Sequence, residues 1–575
     1  MPRQQYTDGY RQAVFTDFSL GLQLRDKADA VKDGEAIDLL NVTFTERGAV
    51  RQRDGYVDLS ATLPGRVDSM AAHYTTAGLR QLVLGAGVRL DTINETGATV
   101  GSLTGLTGGP WTFAQFGDPL RELVYAANGS NPLARWDGAA WSAGSALATV
   151  NGTAARALPK AGAITVTAAQ AGSTSGTNAS NRLVATAFGT QPFAGPGGVE
   201  STPSRVYFSN PGQPEIWETD GFLGTAGANY TDKRARNWID LTPGDGEYIT
   251  AAVTWRELVF LFKQTKFFVL WGEGTGSEGI PTFQVREVVN SIGLAAPQAV
   301  AVGRDGVYFM NRRGVYRTSG GDPVLLSDAI SPMWTQDPEV YFRSQPINLT
   351  QLNLTRMLWH MERLYLAIPT GTATANDRVL VYDTQHQYWT LYDLPATALA
   401  SFRSSALPEV HFAYADPLPS RIGHLALGQT TDRGQPIVSR WRSGWGDYGT
   451  SQSKTIRETK LWGRGGATIS FSADFHRNQN VAVDTHFGPV ATSWTYGQLT
   501  ARGGTYTDLN ADYGTYTDLA ANLPLESGVD DALVRYAIRG IVFSTQFSNS
   551  AHEPDWSVHR IARHLREIRQ PSASP

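Results

Sequence analysis

Gly306-Val-Tyr-Phe-Met-Asn-Arg-Arg-Gly-Val-Tyr316 reads as two short strands joined by an Asn-Arg-Arg-Gly turn. Branched and aromatic side chains favour extended backbone, and Asn and Gly supply the reversal. The first apolar triplet of this hairpin, Val307-Tyr-Phe309, has counterparts at Leu82-Val-Leu84, Leu123-Val-Tyr125, Val206-Tyr-Phe208, Leu258-Val-Phe260, Leu364-Tyr-Leu366 and Val410-His-Phe412. Successive middle residues lie 41, 83, 52, 49, 57 and 46 positions apart. A propeller blade of four antiparallel strands takes roughly 40–50 residues, and blades that stack need strands apolar on both faces. The pattern therefore predicts a mostly β chain containing a β-propeller of about six to eight blades, the first within 61–138 and the rest within 202–430. A large multi-sheet β-sandwich is the other arrangement with recurring hairpins, but it would not space them regularly.

The double step contains 139–201, rich in Ala, Gly, Ser and Thr. It reads as an inserted small β segment or a loop carried by the propeller. After about residue 430 the period stops. Ile456–Trp462 and Ala467–Phe475 suggest a C-terminal β-sandwich over 431–575, with a tandem Thr-Tyr-Thr-Asp-Leu at 505–509 and 515–519 and a basic tail. The tail, Trp556–Arg569, suits a strand or a short helix, and residues 1–60 are expected to join the propeller.

Composition narrows the chemistry. The 575 residues include no Cys, which removes disulfides, thiolate metal sites and thiol nucleophiles together. Lys and Arg number 49 against 53 Asp and Glu, a net charge of −4, too balanced for wrapping duplex nucleic acid. The N-terminus lacks the basic start and apolar core of a secretory signal, and no apolar run reaches the ~18 residues of a membrane span. The expectation is a chain made in a cytoplasm, with no membrane span.

Phosphate-loop, HExxH and GxSxG patterns are missing, as are Asp-box turns of the kind found in sialidase propellers. His360, His386, His411 and His424 are scattered over the propeller hairpins, and His559 and His564 are five apart, a spacing that separates their rings in helix or strand alike. Asp530-Asp531 and the Asp245/Glu247 pair have the chemistry of a calcium or acid/base site, but Pro243-Gly-Asp-Gly is first a turn. The reading is no catalytic, cofactor or metal residue. Trp441, Arg442, Trp445 and Tyr448 form a Gly-rich aromatic cluster suited to a protein interface, or to a saccharide platform. Arg560, Arg563, Arg566 and Arg569 form a basic string suited to a solvated face, a ring contact or DNA. Arg47, Arg51 and Arg53 are candidates for docking another protein, or strand-edge charges that block aggregation.

Two blocks carry a family resemblance. The first is Asp17-Phe-Ser-Leu-Gly-Leu-Gln23, then Leu39-Leu-Asn-Val42 and Gly48-Ala-Val-Arg-Gln-Arg-Asp-Gly-Tyr56. The second runs from Ser204-Arg-Val-Tyr-Phe-Ser-Asn-Pro-Gly212 through Phe267-Phe-Val-Leu-Trp-Gly272, Ser291-Ile-Gly293, Gly306–Phe309 and Gly314–Tyr316 to Ser327-Asp-Ala-Ile330. Their order resembles the tail nozzle and tail hub β-propeller proteins of tailed bacteriophages. At the opening, Leu20 stands where that family has glycine and Gln23 where it has asparagine. The resemblance implies a non-enzymatic virion part, usually a hexameric ring below an adaptor or tail tube, holding fibres or spikes, with phage DNA passing through its axis. A near-neutral wall suits that passage, since many phosphate contacts would retard DNA. Two other readings stand beside it: a minor tail protein for host attachment in a long-tailed phage, and a propeller glycan-binding protein or glycosidase, which would need two carboxylates ~5–9 Å apart.

Overall fold

The computed structural model describes residues 10–142, 238–271, 284–335, 345–487 and 530–567, with short gaps inside these ranges, and the strands at 164–166, 184–186 and 205–207. The chain divides into two compact units: Met1–Gly55 with His386–Tyr392 and Leu427–Pro575, and Tyr56–Gln385 with Asp393–Ala426.

The second unit is a β-propeller. Its sheets are antiparallel meanders, each strand hydrogen-bonded to the next in sequence, as in Val67–Tyr74, Arg80–Ala86, Arg89–Asn94 and Thr99–Leu103. The same order repeats from Thr112–Asp118 to Trp141–Ser142, from Ala251–Trp255 to Gln284–Asn290 and from Val300–Gly303 to Val324–Leu325. Arg356–His360, Arg363–Ile368 and Arg378–Asp383 follow, then Ala398–Phe402, Glu409–Tyr414 and Arg421–Leu425. The first strand of each sheet lies against that of the next, and Ala398–Phe402 returns to Val67–Tyr74.

The recurring triplets explain the stacking. Leu82, Val83 and Leu84 lie in the second strand of the first sheet, and all three are fully buried. Side chains alternate faces along a strand. Leu82 and Leu84 accordingly pack with Phe402, Ala413 and Ile422 of the last sheet, while Val83 packs with Val124 and Trp136 of the second. The triplets at 123, 258, 307, 364 and 410 also fall in second strands, and the one at 206 begins in the short strand Arg205–Tyr207. Within 139–201, Ile164–Val166 pairs with Val184–Thr186 and lies against Thr112–Asp118 and Ala251–Trp255, so this stretch contributes a hairpin to the cycle.

The ring is fastened by the chain's early residues. Tyr56–Asp58 pairs antiparallel with Arg421–Leu425, His424 opposite Val57, and adds a strand to the last sheet. The Asp58 carboxylate accepts from the Tyr414 hydroxyl and from Arg421 Nη1.

Residues 1–55 group with the first unit, and the strand beginning at Tyr56 groups with the propeller. In the first unit one continuous sheet runs Gly21–Leu22, Glu35–Leu40, Arg440–Ser443, Phe543–Asn549, Lys454–Ala473, Trp556–Glu567, Val50–Gln52, Val42–Phe44. Its spine is the 20-residue strand Lys454–Ala473, whose first half pairs with Trp556–Glu567 and second half with Phe543–Asn549. The basic tail is thus a strand. The sheet folds back because Glu35–Leu40 and Val42–Phe44, far apart in strand order, are consecutive in sequence. Asn41 makes the corner at φ +52, where its short polar side chain tolerates the left-handed region. No helix among the described residues is long and apolar enough to cross a membrane.

Candidate functional site

Arg53, read as a docking residue, lies inside the first unit with its side chain 1% exposed. Nη1 and Nη2 donate to the two Asp432 carboxylate oxygens at 3.0 and 2.6 Å, and Nε donates to Asn41 Oδ1 at 2.9 Å. The Tyr392 ring lies 5.6 Å below the guanidinium carbon. Such a planar fork matches a carboxylate bidentately, so Arg53 is a clamp within the fold and not a surface contact. Arg51 is half-exposed and 3.5 Å from Asp54, and Arg47 is exposed. Of the three arginines, those two remain available for docking.

The aromatic cluster also divides. Trp441 is buried, stacked on Phe547 at 5.5 Å and edge-on to Phe18 at 5.3 Å, which makes it core. Its strand places Leu39 and Phe547 opposite it on either side. Arg442, Trp445 and Tyr448 are half-buried, with the Arg442 guanidinium 5.5 Å from the Trp445 ring. Trp445 and Tyr448 line a cavity of about 40 Å³ with Phe15, Asp33, Phe543 and Arg563. One water needs ~10–15 Å³ of such space, so the cavity admits a few waters.

Arg563, one of the basic string, lines this cavity together with Lys32 and Asp33. It shares a strand face with buried Ile561 and Leu565, and its guanidinium carbon lies 5.3 Å from the Phe15 ring centre and 5.5 Å from that of Tyr448. Nη2 donates to Thr545 Oγ1. Burial pushes the guanidinium down to about 9 against the opposing pull of Asp33, whose carboxyl burial in turn raises. Arg563 therefore stays cationic at neutral pH. Arg560 and Arg566 are exposed, the former 4.5 Å over the Trp462 ring, and Arg569 lies outside the described residues. The signal for Arg563 was its place in the apolar phase of Ile561-x-x-x-Leu565, legible only once the segment is known to be a strand.

The propeller brings together residues that look scattered in sequence. Glu409 and His411, two apart on one strand, share a face, and the register sets His424 directly opposite His411. The two imidazoles stack at 5.1 Å and 14°. His411 is fully buried, and that burial pushes its imidazole down to about 3, with the hydrogen bond to the Glu409 carbonyl opposing the shift. His360 sits on a neighbouring sheet with Nδ1 2.8 Å from Ser401 Oγ. His386 is exposed and belongs to the first unit. The Asp245 and Glu247 pair is described only at Glu247, and the side chains of Asp530 and Asp531 lie outside the described residues.

No family model matches the chain, and no curated protein sequence matches it at a significant level. Among solved structures it is similar to BBS1N in complex with ARL6DN (11% identity, TM-score 0.36, covering 65% of this chain and 98% of that one). Virginiamycin B lyase from Staphylococcus aureus gives 12% identity, a TM-score of 0.33 and coverage of 65% and 98%. The Neurospora crassa Pan2 WD40 domain gives 8% identity, a TM-score of 0.34 and coverage of 65% and 96%. With TM-scores this low, the propeller assignment rests on the strand order and closure of the chain's own sheets.

Proposed function

We propose that the chain is a non-enzymatic structural component of a bacteriophage tail: a nozzle, hub or tip protein that assembles as a ring, docks other tail proteins or fibres, and surrounds the path of ejected DNA. The observation that carries this reading is that the residues of the opening pattern each have a structural task. Asn41 turns the sheet's corner and donates from Nδ2 to the Val438 carbonyl at 2.8 Å. Gly48 takes φ +79, and Arg53 clamps Asp432. Gly55 passes so close to Thr431 that a Cβ would stand 2.1 Å from its carbonyl oxygen. Tyr56 begins the strand that closes the propeller. An eighteen-residue motif with this much work supports descent from the proteins it resembles more strongly than a chance run of Arg and Gly would.

The same pattern gives the first unit its make-up, with the early strands Glu35–Leu40 and Tyr10–Phe15 pairing with Arg440–Ser443 and the C-terminal Trp556–Glu567. Exposed Arg47, half-exposed Arg51 and half-buried Arg442, Trp445 and Tyr448 are the docking residues of this reading, since Arg, Trp and Tyr are favoured at interfaces. The test is the native mass of the purified protein together with electron micrographs of virions. A ring of about six copies at the tail supports the reading. A free monomer or trimer absent from virions overturns it.

A further inference from the structure

We propose that Glu409, His411 and His424 form a binding site for one divalent transition-metal ion, with Zn²⁺ the best match. One ligand atom from each residue lies within 4.8 Å of the other two. In a tetrahedral zinc site with bonds of ~2.0–2.1 Å, donor atoms stand roughly 3.3 Å apart. Small rotations of half-buried Glu409 and His424 span the difference. Two imidazoles and one carboxylate suit zinc and its transition-metal neighbours, whereas Ca²⁺ and Mg²⁺ call for all-oxygen shells.

The hydrogen bonds fix which atoms face the ion. His411 Nδ1 is 3.1 Å from the Glu409 backbone carbonyl. A carbonyl oxygen only accepts, so Nδ1 carries the proton and Nε2 presents its lone pair. An N–H held by a backbone carbonyl is also the usual way a ligating imidazole is oriented. Nε2 faces Ser404 Oγ at 3.1 Å, and that hydroxyl is 3.5 Å from Glu409 Oε2, so both donors border one small space. On the other side, His424 Nδ1 approaches Glu409 Oε2 to 2.7 Å without a well-directed hydrogen bond. A lone pair and a carboxylate oxygen at that distance repel unless Nδ1 carries the ring proton or both atoms turn toward a shared cation, which would draw them apart to the spacing of a zinc site. Side chains of Glu409 and His424 are 18% and 15% exposed, which leaves an entry path. Three protein ligands leave a tetrahedral ion one position for water.

The experiment uses the full-length protein, dialysed against a chelator and then titrated with Zn²⁺ by calorimetry, with Co²⁺ absorption as the probe of coordination geometry. One ion per chain and a rise in melting temperature with Zn²⁺ are expected. Glu409→Gln and His424→Asn, neither fully buried, should each weaken binding by roughly tenfold or more while melting near the wild-type temperature without metal. His386→Asn should bind as wild type. The proposal is overturned if the wild type takes up no stoichiometric ion at micromolar Zn²⁺, in which case the three residues are a polar network closed by a proton on His424. It is equally overturned if both variants bind like the wild type.

Discussion

Arg53 is a charge buried among partners from three stretches of the chain, Asn41, Tyr392 and Asp432. Removing one member of such a set leaves the others desolvated and unpaired. Arg53→Ala should therefore cost about 3 kcal/mol, read as a lower urea midpoint. Gly55→Ala should cost about 1–3 kcal/mol in the same assay, because its Cβ would press on the Thr431 backbone, which cannot rotate away as a side chain can. His360 supplies a pH dependence. Burial, and after it the neighbouring Arg363, holds its imidazole below the usual 6.5. The folded state thus favours the neutral ring, and below 6.5 the unfolded chain binds more protons. That stability is fully present above pH 6.5 and is lost as pH falls through the window beneath it. His360→Gln should flatten the decline in melting temperature between pH 7 and 5; an unchanged slope would remove His360 from the cause.

At the scale of elements, the propeller depends on one short strand from outside its consecutive sheets. Val57→Pro removes a ladder donor from Tyr56–Asp58 and should raise amide exchange in Arg421–Leu425 before that in the other sheets. Uniform exchange across all sheets would show that the strand is no latch. Between sheets the load is aromatic: Phe309 meets Phe262 at 5.0 Å and Phe267 at 5.5 Å. Phe309→Ala should cost about 3–5 kcal/mol, measured by denaturant unfolding. These strands were legible because a strand apolar on both faces, bounded by Gly and Asn, has few other ways to fold. The pairing of the early strand Glu35–Leu40 was not legible for the complementary reason. Ala36 and Leu39 announce a buried strand, but nothing local names its partner, Arg440–Ser443, which lies some 400 residues later.

For the whole molecule, the proposed ring gives a separable prediction. Arg47→Glu with Arg51→Glu should lower the fraction of assembled ring in native mass measurements while leaving the melting temperature of the subunit almost unchanged. Exposed charges and a single surface ion pair contribute only ~0–1 kcal/mol to folding. An unaltered ring would move the docking surface to Arg442, Trp445 and Tyr448.

What the sequence determined by itself was the β class, the recurrent hairpin and hence the propeller, because alternation and turn chemistry act within a few residues. It also marked Arg47–Arg53 and Trp441–Tyr448 as unusual. Tertiary structure alone decided which of those residues are core and which are surface, since Trp441 and Arg53 differ from Trp445 and Arg47 only in what the fold lays over them. It decided too that Tyr10–Phe15 and Trp556–Glu567 join one sheet and that His411 faces His424. Strand register joins residues thirteen apart on one hairpin and hundreds apart across a sheet, and those pairings follow from global packing, which no local pattern encodes.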